Sequence, residues 1–370
     1  MECLGDNMDK PISIKILNSI FKFISFFLPV KKRVLFLGSP RNRTLMENGQ
    51  MVYDELNCNK KVIVKELPHN IFDVMYISFF IMTSKVIVLD DHYRYLVYIP
   101  LKNNQKLVQM YHGPGAFKKV ALDLPNHSPI EKFYHEQYDA FICTSPDVSI
   151  HMETGFGLTP DKIKPLGYPR SDLLFNNKTE LEDEFYEQFP QFKDKNIIVY
   201  LPTYRRYGEE LLDFDYKINW QEFDNFLGKN NSVCLVKRHP LQITYNLEVV
   251  PSDCKNIIDV LEFSYFPMIV ASDVLITDFS SVFFDYLLLD KPIIFYCPDA
   301  DEYLEKNGLY LKFPDDLPGE YCENFDELLN ALTNIDNEID YSEFKKRYMS
   351  ACDGNSTQKV ANLIESYLDS

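Results

Sequence analysis

The chain has 370 residues, of which 46% are hydrophobic and 14% aromatic. This composition can fill a hydrophobic core and excludes a disordered or fibrous protein, and the length suits two ordinary domains. The 38 basic and 55 acidic residues give a net charge of −17, which argues against a nucleic-acid-binding protein, because phosphate contacts require a basic surface.

The first predicted element is a helix in ISIKILNSIFKFISFFLPV, which begins at Ile12. Lys15 and Lys22 interrupt this apolar span, which argues against a transmembrane helix. No small-residue cleavage site follows it, as a secretory signal would require. A helix lying on a membrane surface and a helix packed on its own domain fit the pattern equally well. Residues 1–30 are therefore predicted to form an amphipathic segment, either membrane-associating or packed on its own domain.

Two series of short, continuously apolar strands follow, one in residues 31–170 and one in residues 196–370. The first comprises RVLFLGS, KVIVKEL, KVIVLDD, LVQMYHG and AFICTS, and the second NIIVYLPT, SVCLVKRHP, VLITDFS and PIIFYCP. Such strands, separated by helix-length segments, are typical of parallel sheets covered on both faces. Two α/β domains are therefore predicted, with the polar, acidic segment 171–195 as a linker containing a helix.

The chain closes with a predicted helix in STQKVANLIESYLDS. Ser356 or Thr357 is the expected N-cap, because a hydroxyl at this position can accept a bond from a free helical N–H. This last helix either belongs to the second domain or packs back on the first.

Polar residues directly after buried strands are the main functional candidates, because open α/β sheets bind ligands beyond the carboxyl ends of their strands. The first group is in VQMYHGPGAFKK, where the candidates are Tyr111, His112, Gly113, Lys118 and Lys119. An imidazole titrates near neutral pH and suits a general base. A single histidine is more often structural, but glycines and two lysines beside it favour a functional role.

Two further groups are rich in cations. VYLPTYRR places Thr203 and Arg205 after a strand, and CLVKRHP ends another strand with Lys237, Arg238 and His239. Arginine suits bidentate phosphate contacts, although it also forms ordinary surface ion pairs. Three potential cations at one strand end predict an anion clamp.

The fourth group lies between a buried strand and a helix in VLITDFSSVFFDYLLL. Free N–H groups and the positive dipole end favour an anion at a helix N-terminus. A simple N-cap would explain one residue of this group but not all of them. Phosphate binding is therefore predicted for Thr277, Asp278, Ser280 and Ser281, with Asp285 as a candidate for a ribose hydroxyl.

The sequence contains no phosphate-binding or dinucleotide-binding glycine loop, no HExxH motif and no nucleophile elbow. No two of its eight cysteines are spaced as CxxC, so a zinc ribbon is not indicated. We therefore expect neither a metal nor a cofactor.

Taken together, HGPGAFKK, GYPRSDLLF, LPTYRR, VKRHP and ITDFSSVFFDYLLLDKPIIFYCPDADEY resemble the CDP-glycerol glycerophosphotransferase family, which builds teichoic acids. The resemblance extends over roughly residues 34–330. It implies a GT-B fold, in which two Rossmann-like domains face each other across a cleft. In that fold the C-terminal domain binds the donor nucleotide and the N-terminal domain binds the acceptor.

The same resemblance implies transfer of a polyol phosphate, with glycerol phosphate favoured, from a CDP-activated donor to a hydroxyl of a lipid-linked acceptor. CMP is released, and His112 and His239 correspond to the family's two key histidines. The protein would be a peripheral enzyme at the cytoplasmic face of the membrane, with no nucleic-acid partner. Two alternatives are a GT-B glycosyltransferase that uses a nucleotide sugar and a non-enzymatic membrane-surface scaffold. The choices of glycerol or ribitol, and of primase or polymerase, stay open.

Overall fold

The computed structural model describes residues 11–38, 45–64, 70–124, 127–128, 130–207, 210–211, 216–238, 250–260, 263–336 and 338–370. The chain divides into two compact units. The first comprises Met1–Gly113, Lys119–Asp172 and Ser350–Ser370, and the second comprises Pro114–Lys118 and Leu173–Met349.

The strands of the described residues are β1 (Lys31–Gly38), β2 (Lys60–Val64), β3 (Ser84–Leu89), β4 (Lys106–Gln109), β5 (Ala140–Cys143), β6 (Ile163–Pro165), β7 (Asn196–Leu201), β8 (Arg206–Tyr207), β9 (Glu210–Leu211), β10 (Ser232–Val236), β11 (Ile257–Asp259), β12 (Val274–Thr277), β13 (Ile293–Tyr296) and β14 (Glu320–Cys322).

The helices of the same residues are α1 (Ile12–Phe26), α2 (Glu47–Glu55), α3 (Ile71–Thr83), α4 (Glu131–His135), α5 (Pro146–Phe156), α6 (Leu173–Asn176), α7 (Lys178–Gln188), α8 (Trp220–Lys229), α9 (Tyr265–Ala271), α10 (Val282–Leu287), α11 (Ala300–Lys306), α12 (Phe325–Thr333), α13 (Ser342–Met349) and α14 (Ser356–Asp369).

The first unit is built on a parallel sheet with the strand order β2-β1-β3-β4-β5-β6. The apolar residues of its central strands are buried, as their continuous apolar sequence predicts. β3 and β4 are neighbours, and Leu89 pairs with Gln109 near their carboxyl ends. Side chains that follow these two strands therefore emerge side by side at one edge of the sheet.

The last helix, α14, belongs to the first unit and packs against α2 and β3. Its first two amides, of Ser356 and Thr357, donate to the two carboxylate oxygens of Asp172 at 2.9 and 2.7 Å. The expected hydroxyl cap is therefore replaced by a carboxylate far away in the sequence. A carboxylate at this position accepts two free N–H groups and also complements the helix dipole.

The second unit has its own parallel sheet, with the order β11-β10-β7-β12-β13-β14. The chain runs from β7 to β10 and β11 on one side and then to β12, β13 and β14 on the other, as in a dinucleotide-binding fold. The segment 171–195, expected to be a linker, contains α6 and α7, and α7 packs against α9 within this unit.

All nine predicted strands are present, and the predicted pair of parallel α/β sheets is confirmed. The sequence did not indicate β6, β11 and β14, which have three residues each and lie at the edges of their sheets. Edge strands bury less surface than central ones, so they lack the continuous apolar signal on which the prediction depends.

Helix α1 buries only part of its surface. Ile14 and Phe21 are buried, whereas Phe23 and Phe26 are largely exposed. Asn18 attaches the helix to the first unit by donating from Nδ2 to the carbonyl of Val97 at 2.9 Å. In the part of the chain that the structure describes, no helix has both the length and the apolar character needed to cross a membrane.

Candidate active site

The turn after β4 presents His112 on an anchored backbone. Tyr111 has a φ of 57°, a left-handed conformation that is rare for a bulky residue and persists only where neighbouring contacts enforce it. Its N–H donates to Oε1 of Gln109 at 2.9 Å, and its carbonyl accepts from Nδ2 of Asn48 at 3.1 Å. Both amide side chains are buried, so the backbone leading into His112 is held from two sides.

Gly113 completes this turn in a confined space. The hydroxyl of Tyr168 donates to its carbonyl at 3.0 Å. A Cβ at this position would lie 3.3 Å from the ring of Tyr111, closer than an ordinary van der Waals contact. The Tyr111 ring is itself buried and packs on the His112 ring, with centroids 4.6 Å apart. Tyr111 and Gly113 were expected to contact the acceptor, but these contacts give them a supporting role for His112.

Asp91 is the charged partner of His112. Its Oδ1 lies 3.2 Å from Nδ1 of His112, and the two side chains are 15% and 43% exposed, respectively. Burial raises the pKa of Asp91, but His112 and the amide of His92 lower it more, so that it is held at about 2. Asp91 therefore carries a negative charge at any pH above about 2.

Asp90, one residue earlier, has a different environment. Its buried carboxylate accepts bonds from the amides of Met46 and Gly49 at the start of α2. Burial raises the pKa of Asp90 to about 6, although these amide bonds oppose the shift. A Cβ at residue 49 would lie 2.7 Å from its Oδ1, so glycine is required there. Asp90 attaches α2 to the end of β3 and has a structural role.

A buried aromatic layer lies next to this turn. The ring of Phe156 packs against those of Tyr111, Phe141 and His135, with centroids 5.3, 4.5 and 5.0 Å away. Burial lowers the pKa of His135 to about 3, and nearby His92 adds to the shift. His135 therefore stays neutral near physiological pH and acts as a core residue.

In the second unit, the predicted residues after β7 and β12 meet at the topological switch point of the sheet, where open α/β folds bind ligands. The amide of Thr203 donates to Oδ1 of Asp278 at 2.8 Å. The hydroxyl of Thr277 donates to the carbonyl of Leu201 at 2.8 Å. Because Thr277 and Asp278 are almost fully buried, they join the two strand ends and are poorly placed to touch a ligand.

Arg205 also connects the ends of β7 and β12, through ion pairs with two buried carboxylates. Its guanidinium lies 2.8 Å from Oδ2 of Asp278 and contacts both oxygens of Asp299, at 2.6 and 2.8 Å. Burial lowers the pKa of Arg205, but Asp278 and Asp299 raise it more, so the guanidinium stays charged. The residue expected to bind phosphate is thus engaged in internal ion pairs.

The hydroxyl groups at this edge of the sheet are less engaged in internal contacts than the ion-paired side chains of Arg205, Asp278 and Asp299. Ser280 and Ser281 are partly exposed at the start of α10, and Ser280 Oγ accepts a long bond of 3.4 Å from the amide of Val282. Within the described residues, the buried Oγ1 of Thr203 makes no hydrogen bond. These three hydroxyls are therefore the donors of this edge best placed for an anion.

Asp285 does not reach the surface. It is fully buried, and the hydroxyl of Tyr265 donates to its Oδ2 at 3.4 Å. A contact with a ribose hydroxyl requires Asp285 to be accessible, whereas α10 turns this residue inward. We therefore do not include it among the nucleotide contacts.

The cationic end of β10 lies next to β7 in the same sheet. Lys237 donates from Nζ to the carbonyl of Phe263 at 2.8 Å, and burial lowers its pKa, with Asp259 opposing the shift. Arg238 is buried, with Nη2 2.9 Å from Oδ2 of Asp259. The third member of the predicted clamp, His239, lies outside the described residues.

The short segment Pro114–Lys118 belongs to the second unit, although it directly follows the His112 turn in the chain. Gly115 has a φ of +65°, and a Cβ there would lie 2.3 Å from the ring of Phe284. Burial lowers the pKa of Lys118, Asp278 opposes the shift and Arg205 adds to it. Lys118 therefore lies among the donor-side candidates and not on the acceptor side as expected, whereas Lys119 belongs to the first unit and is exposed.

The sequence did not identify four residues that organise these two edges: Asn48, Asp91, Gln109 and Asp299. Asp91 is the last residue of the predicted strand segment KVIVLDD, to which no function is assigned from the sequence. A signal was nevertheless present, because Asp91 and His112 each follow a predicted strand, and two neighbouring parallel strands end at the same edge. Among the described residues, no cluster of histidine, cysteine, aspartate or glutamate has the arrangement of a metal site.

Comparison with known proteins places these residues in a family. The model of the family described as CDP-Glycerol:Poly(glycerophosphate) glycerophosphotransferase matches residues 20–366. The chain is 27% identical over 378 residues to the teichoic acid ribitol-phosphate primase of Bacillus spizizenii, covering 96% of both chains. It is 28% identical over 320 residues to the teichoic acid glycerol-phosphate primase of Bacillus subtilis, covering 84% of this chain and 81% of the relative.

Solved structures show the same architecture. The wall teichoic acid polymerase TagF superposes with a TM-score of 0.76 at 24% identity, covering 97% of this chain and 95% of that chain. A UDP-GlcNAc 2-epimerase from Methanocaldococcus jannaschii superposes with a TM-score of 0.57 at 11% identity, covering 90% and 99%. These likenesses, together with the two parallel sheets, show that the chain has a GT-B fold.

Proposed function

The chain belongs to the CDP-glycerol:poly(glycerophosphate) glycerophosphotransferase family, and we propose that its two candidate edges divide the family's reaction between them. It is a transferase of teichoic acid synthesis that moves a polyol phosphate from a CDP-activated donor to an acceptor hydroxyl and releases CMP. The observation that carries the proposal is the family match over residues 20–366, which includes every candidate residue described above.

His112 is the proposed general base, because its side chain is 43% exposed and its Nδ1 faces a carboxylate. The acceptor hydroxyl loses its proton to Nε2 of His112, and its oxygen bonds to the phosphorus that carries the polyol. The bond between that phosphorus and the CMP oxygen breaks, and CMP leaves with the electron pair. Such a reaction depends on positioning and on stabilisation of the developing charge.

The proposed diphosphate contacts lie in the second unit. They are the hydroxyls of Thr203, Ser280 and Ser281, together with the ammonium of Lys118. The buried ion pairs of Arg205 hold the two strand ends that carry these hydroxyls. Lys237 and Arg238 border the same edge, and His239, in the next position, is the proposed donor to the leaving phosphate.

The acceptor is proposed to be lipid-linked, and the enzyme to act as a peripheral protein at the cytoplasmic face of the membrane. Helix α1 leaves Phe23 and Phe26 69% and 82% exposed, and α3 leaves Phe72 77% exposed. Both helices are attached to the 3-10 helix Arg94–Tyr98, through the bonds of Asn18 to Val97 and Ser78 to Tyr95. Exposed apolar side chains of this size favour a lipid surface.

Flotation with vesicles of phosphatidylglycerol and phosphatidylethanolamine tests the membrane proposal. Wild-type protein should float with the vesicles, and Phe23→Ser with Phe26→Ser should lower the bound fraction about tenfold or more, because each buried phenyl ring contributes about 1.5–3 kcal/mol. Ile150→Ser on α5 is the matched control, since Ile150 is also exposed. Equal flotation of all three proteins would refute a role for α1.

The reaction itself is tested by incubating purified protein and a lipid-linked acceptor analogue with separate activated donors. CDP-glycerol and CDP-ribitol are offered in parallel with UDP- and GDP-sugars, and CMP release and product mass are measured. Release of CMP with one polyol phosphate added per acceptor, or with a series of additions, supports the proposal and separates a primase from a polymerase. Turnover of a nucleotide sugar alone would instead identify a glycosyltransferase, and failure to bind any nucleotide would indicate a scaffold.

A further inference from the structure

We propose that Asp91 is a positioning residue for His112: it holds the imidazole with Nδ1 protonated and Nε2 directed away as the base. The proposal rests on the proposed role of His112, and it adds a residue for which the sequence motifs indicate no function. Asp91 does not reach substrate in this scheme and acts only through the ring.

The strand order brings the two residues together. Leu89 at the end of β3 pairs with Gln109 at the end of β4, so Asp91 and His112 emerge side by side. Gln109 reinforces this arrangement, because its Nε2 lies 3.4 Å from the carbonyl of Asp91 and its Oε1 accepts from the amide of Tyr111. One buried side chain thus sets the relative position of both strand ends.

The carboxylate of Asp91 is fixed independently of His112. Its Oδ1 accepts from the amide of His92 at 2.7 Å and lies 3.2 Å from Nδ1 of His112. The ring N–H is within hydrogen-bonding distance but not in line with the oxygen, a geometry that often tightens when substrate binds. A carboxylate at this position selects the tautomer in which Nδ1 carries the proton, because the other tautomer would direct a lone pair at the negative charge.

The charge also favours the reaction. When Nε2 takes the acceptor proton, the ring becomes an imidazolium, and the negative charge of Asp91 stabilises it. The pKa of Asp91 at about 2 means that this charge does not change over the working pH range. Further titratable or charged groups that interact with Asp91 or with the aromatic layer around it are His92, Arg94, Tyr111, Glu131, Tyr134, His135, Tyr138 and Tyr168.

The neighbouring acid shows that a carboxylate after β3 does not by itself have this role. Asp90 directs its oxygens to the amides of Met46 and Gly49, which donate to its Oδ2 and Oδ1. Asp91 is the member of the pair that is aimed at His112.

Kinetics with the intact chain test the proposal. Asp91→Asn should lower kcat about 10- to 100-fold, less than complete loss of a general base, with the KM for the CDP-polyol unchanged. The acid side of the pH–rate profile should move to lower pH, because the imidazolium loses its carboxylate neighbour. The matched control is Asp139→Asn, which alters another partly buried aspartate, 2.8 Å from Lys106, and should leave both the rate and the pH profile unchanged.

A double mutant separates action through His112 from a general structural effect. If Asp91 acts only through the ring, then Asp91→Asn added to His112→Ala should cause no further loss of kcat. A further loss equal to that of the single variant would overturn the proposal, as would an Asp91→Asn enzyme with unchanged kcat and pH profile.

NMR of the ¹⁵N-histidine-labelled protein gives a test that does not depend on turnover. With the His112 signal assigned through His112→Gln, a neutral ring protonated on Nδ1 in the wild type and a shift towards the Nε2-protonated ring in Asp91→Asn support the proposal. A wild-type ring protonated on Nε2, or the same tautomer in both proteins, overturns it. If no CDP-polyol is turned over, the proposed function fails, while the NMR comparison still decides whether Asp91 sets the tautomer.

Discussion

The two candidate edges, one in each unit, use charge in opposite ways. After β4, His112 stays 43% exposed and has one carboxylate beside it. After β7 and β12, Arg205, Asp278 and Asp299 are 9% exposed or less, and they form ion pairs with one another. The first edge keeps a titratable group available, whereas the second uses its charges to hold the strand ends and leaves hydroxyls for a ligand. A cation after a strand is therefore not by itself a phosphate ligand.

Removing the imidazole of His112 tests the contrast between the two sheet edges most strongly. His112→Ala should lower turnover about 10²- to 10⁴-fold, the usual contribution of a general base, and should leave donor binding unchanged. Steady-state kinetics and calorimetric titration with CDP-polyol measure the two quantities. His127→Ala is the control, because His127 is exposed and its Nδ1 lies 2.9 Å from the carbonyl of Leu124. Full turnover in His112→Ala would exclude the base assignment.

Breaking the buried ion pairs should instead affect stability. Asp278→Asn removes one of the two carboxylates of Arg205, while Asp299 remains, and should lower the free energy of unfolding by about 1.5–3 kcal/mol. Urea unfolding followed by fluorescence of Trp220, the chain's single tryptophan, reports on the second unit. Asp315→Asn removes a partner of the exposed Lys312 and should leave unfolding unchanged. If Asp278→Asn lowered only catalysis, Asp278 would be a ligand contact and not a structural one.

The hydroxyls of the second edge should influence donor binding. Replacing both Ser280 and Ser281 by alanine should raise the KM for the CDP-polyol about tenfold or more, since a hydrogen bond to a charged group contributes about 1.5–3 kcal/mol. Thermal melting should change little because both side chains are partly exposed. Ser252→Ala, at an exposed serine, is the matched control. An unchanged KM would place the diphosphate elsewhere.

The smallest expected effect concerns pH and Asp90 in the first edge. Burial raises its folded-state pKa to about 6, above an ordinary value near 3.9. The folded state therefore holds this proton more tightly, and the stability that Asp90 contributes is present below about pH 4 and is lost as pH rises through 6. Asp90→Asn should flatten this part of the stability curve, whereas Asp54→Asn, at an exposed site, should not. Chemical unfolding at several pH values measures the difference.

Part of the candidate site could be predicted from the residues that directly follow the predicted strands. The positions of His112, Thr203, Ser280 and Ser281 just beyond predicted strands are where the structure has them. Whether each side chain faces a ligand or the protein interior could not be predicted in the same way. Thr277, three residues before Ser280 in the same motif, directs its hydroxyl inward to the carbonyl of Leu201, and Asp285 faces the interior of the unit. Which side of a turn faces inward depends on the packing of the neighbouring strand and helix.

The sequence by itself determined the two parallel sheets, the helices between their strands and the family, because apolar runs, turns and motifs are local properties of the chain. Only the tertiary structure decided which charges meet. Asp91 stands beside His112 because β3 lies next to β4, Asp299 takes the guanidinium of Arg205, and Asp172 caps α14 from far away in the sequence. Each of these contacts joins residues that are distant along the chain, and strand order and helix packing bring them within bonding distance.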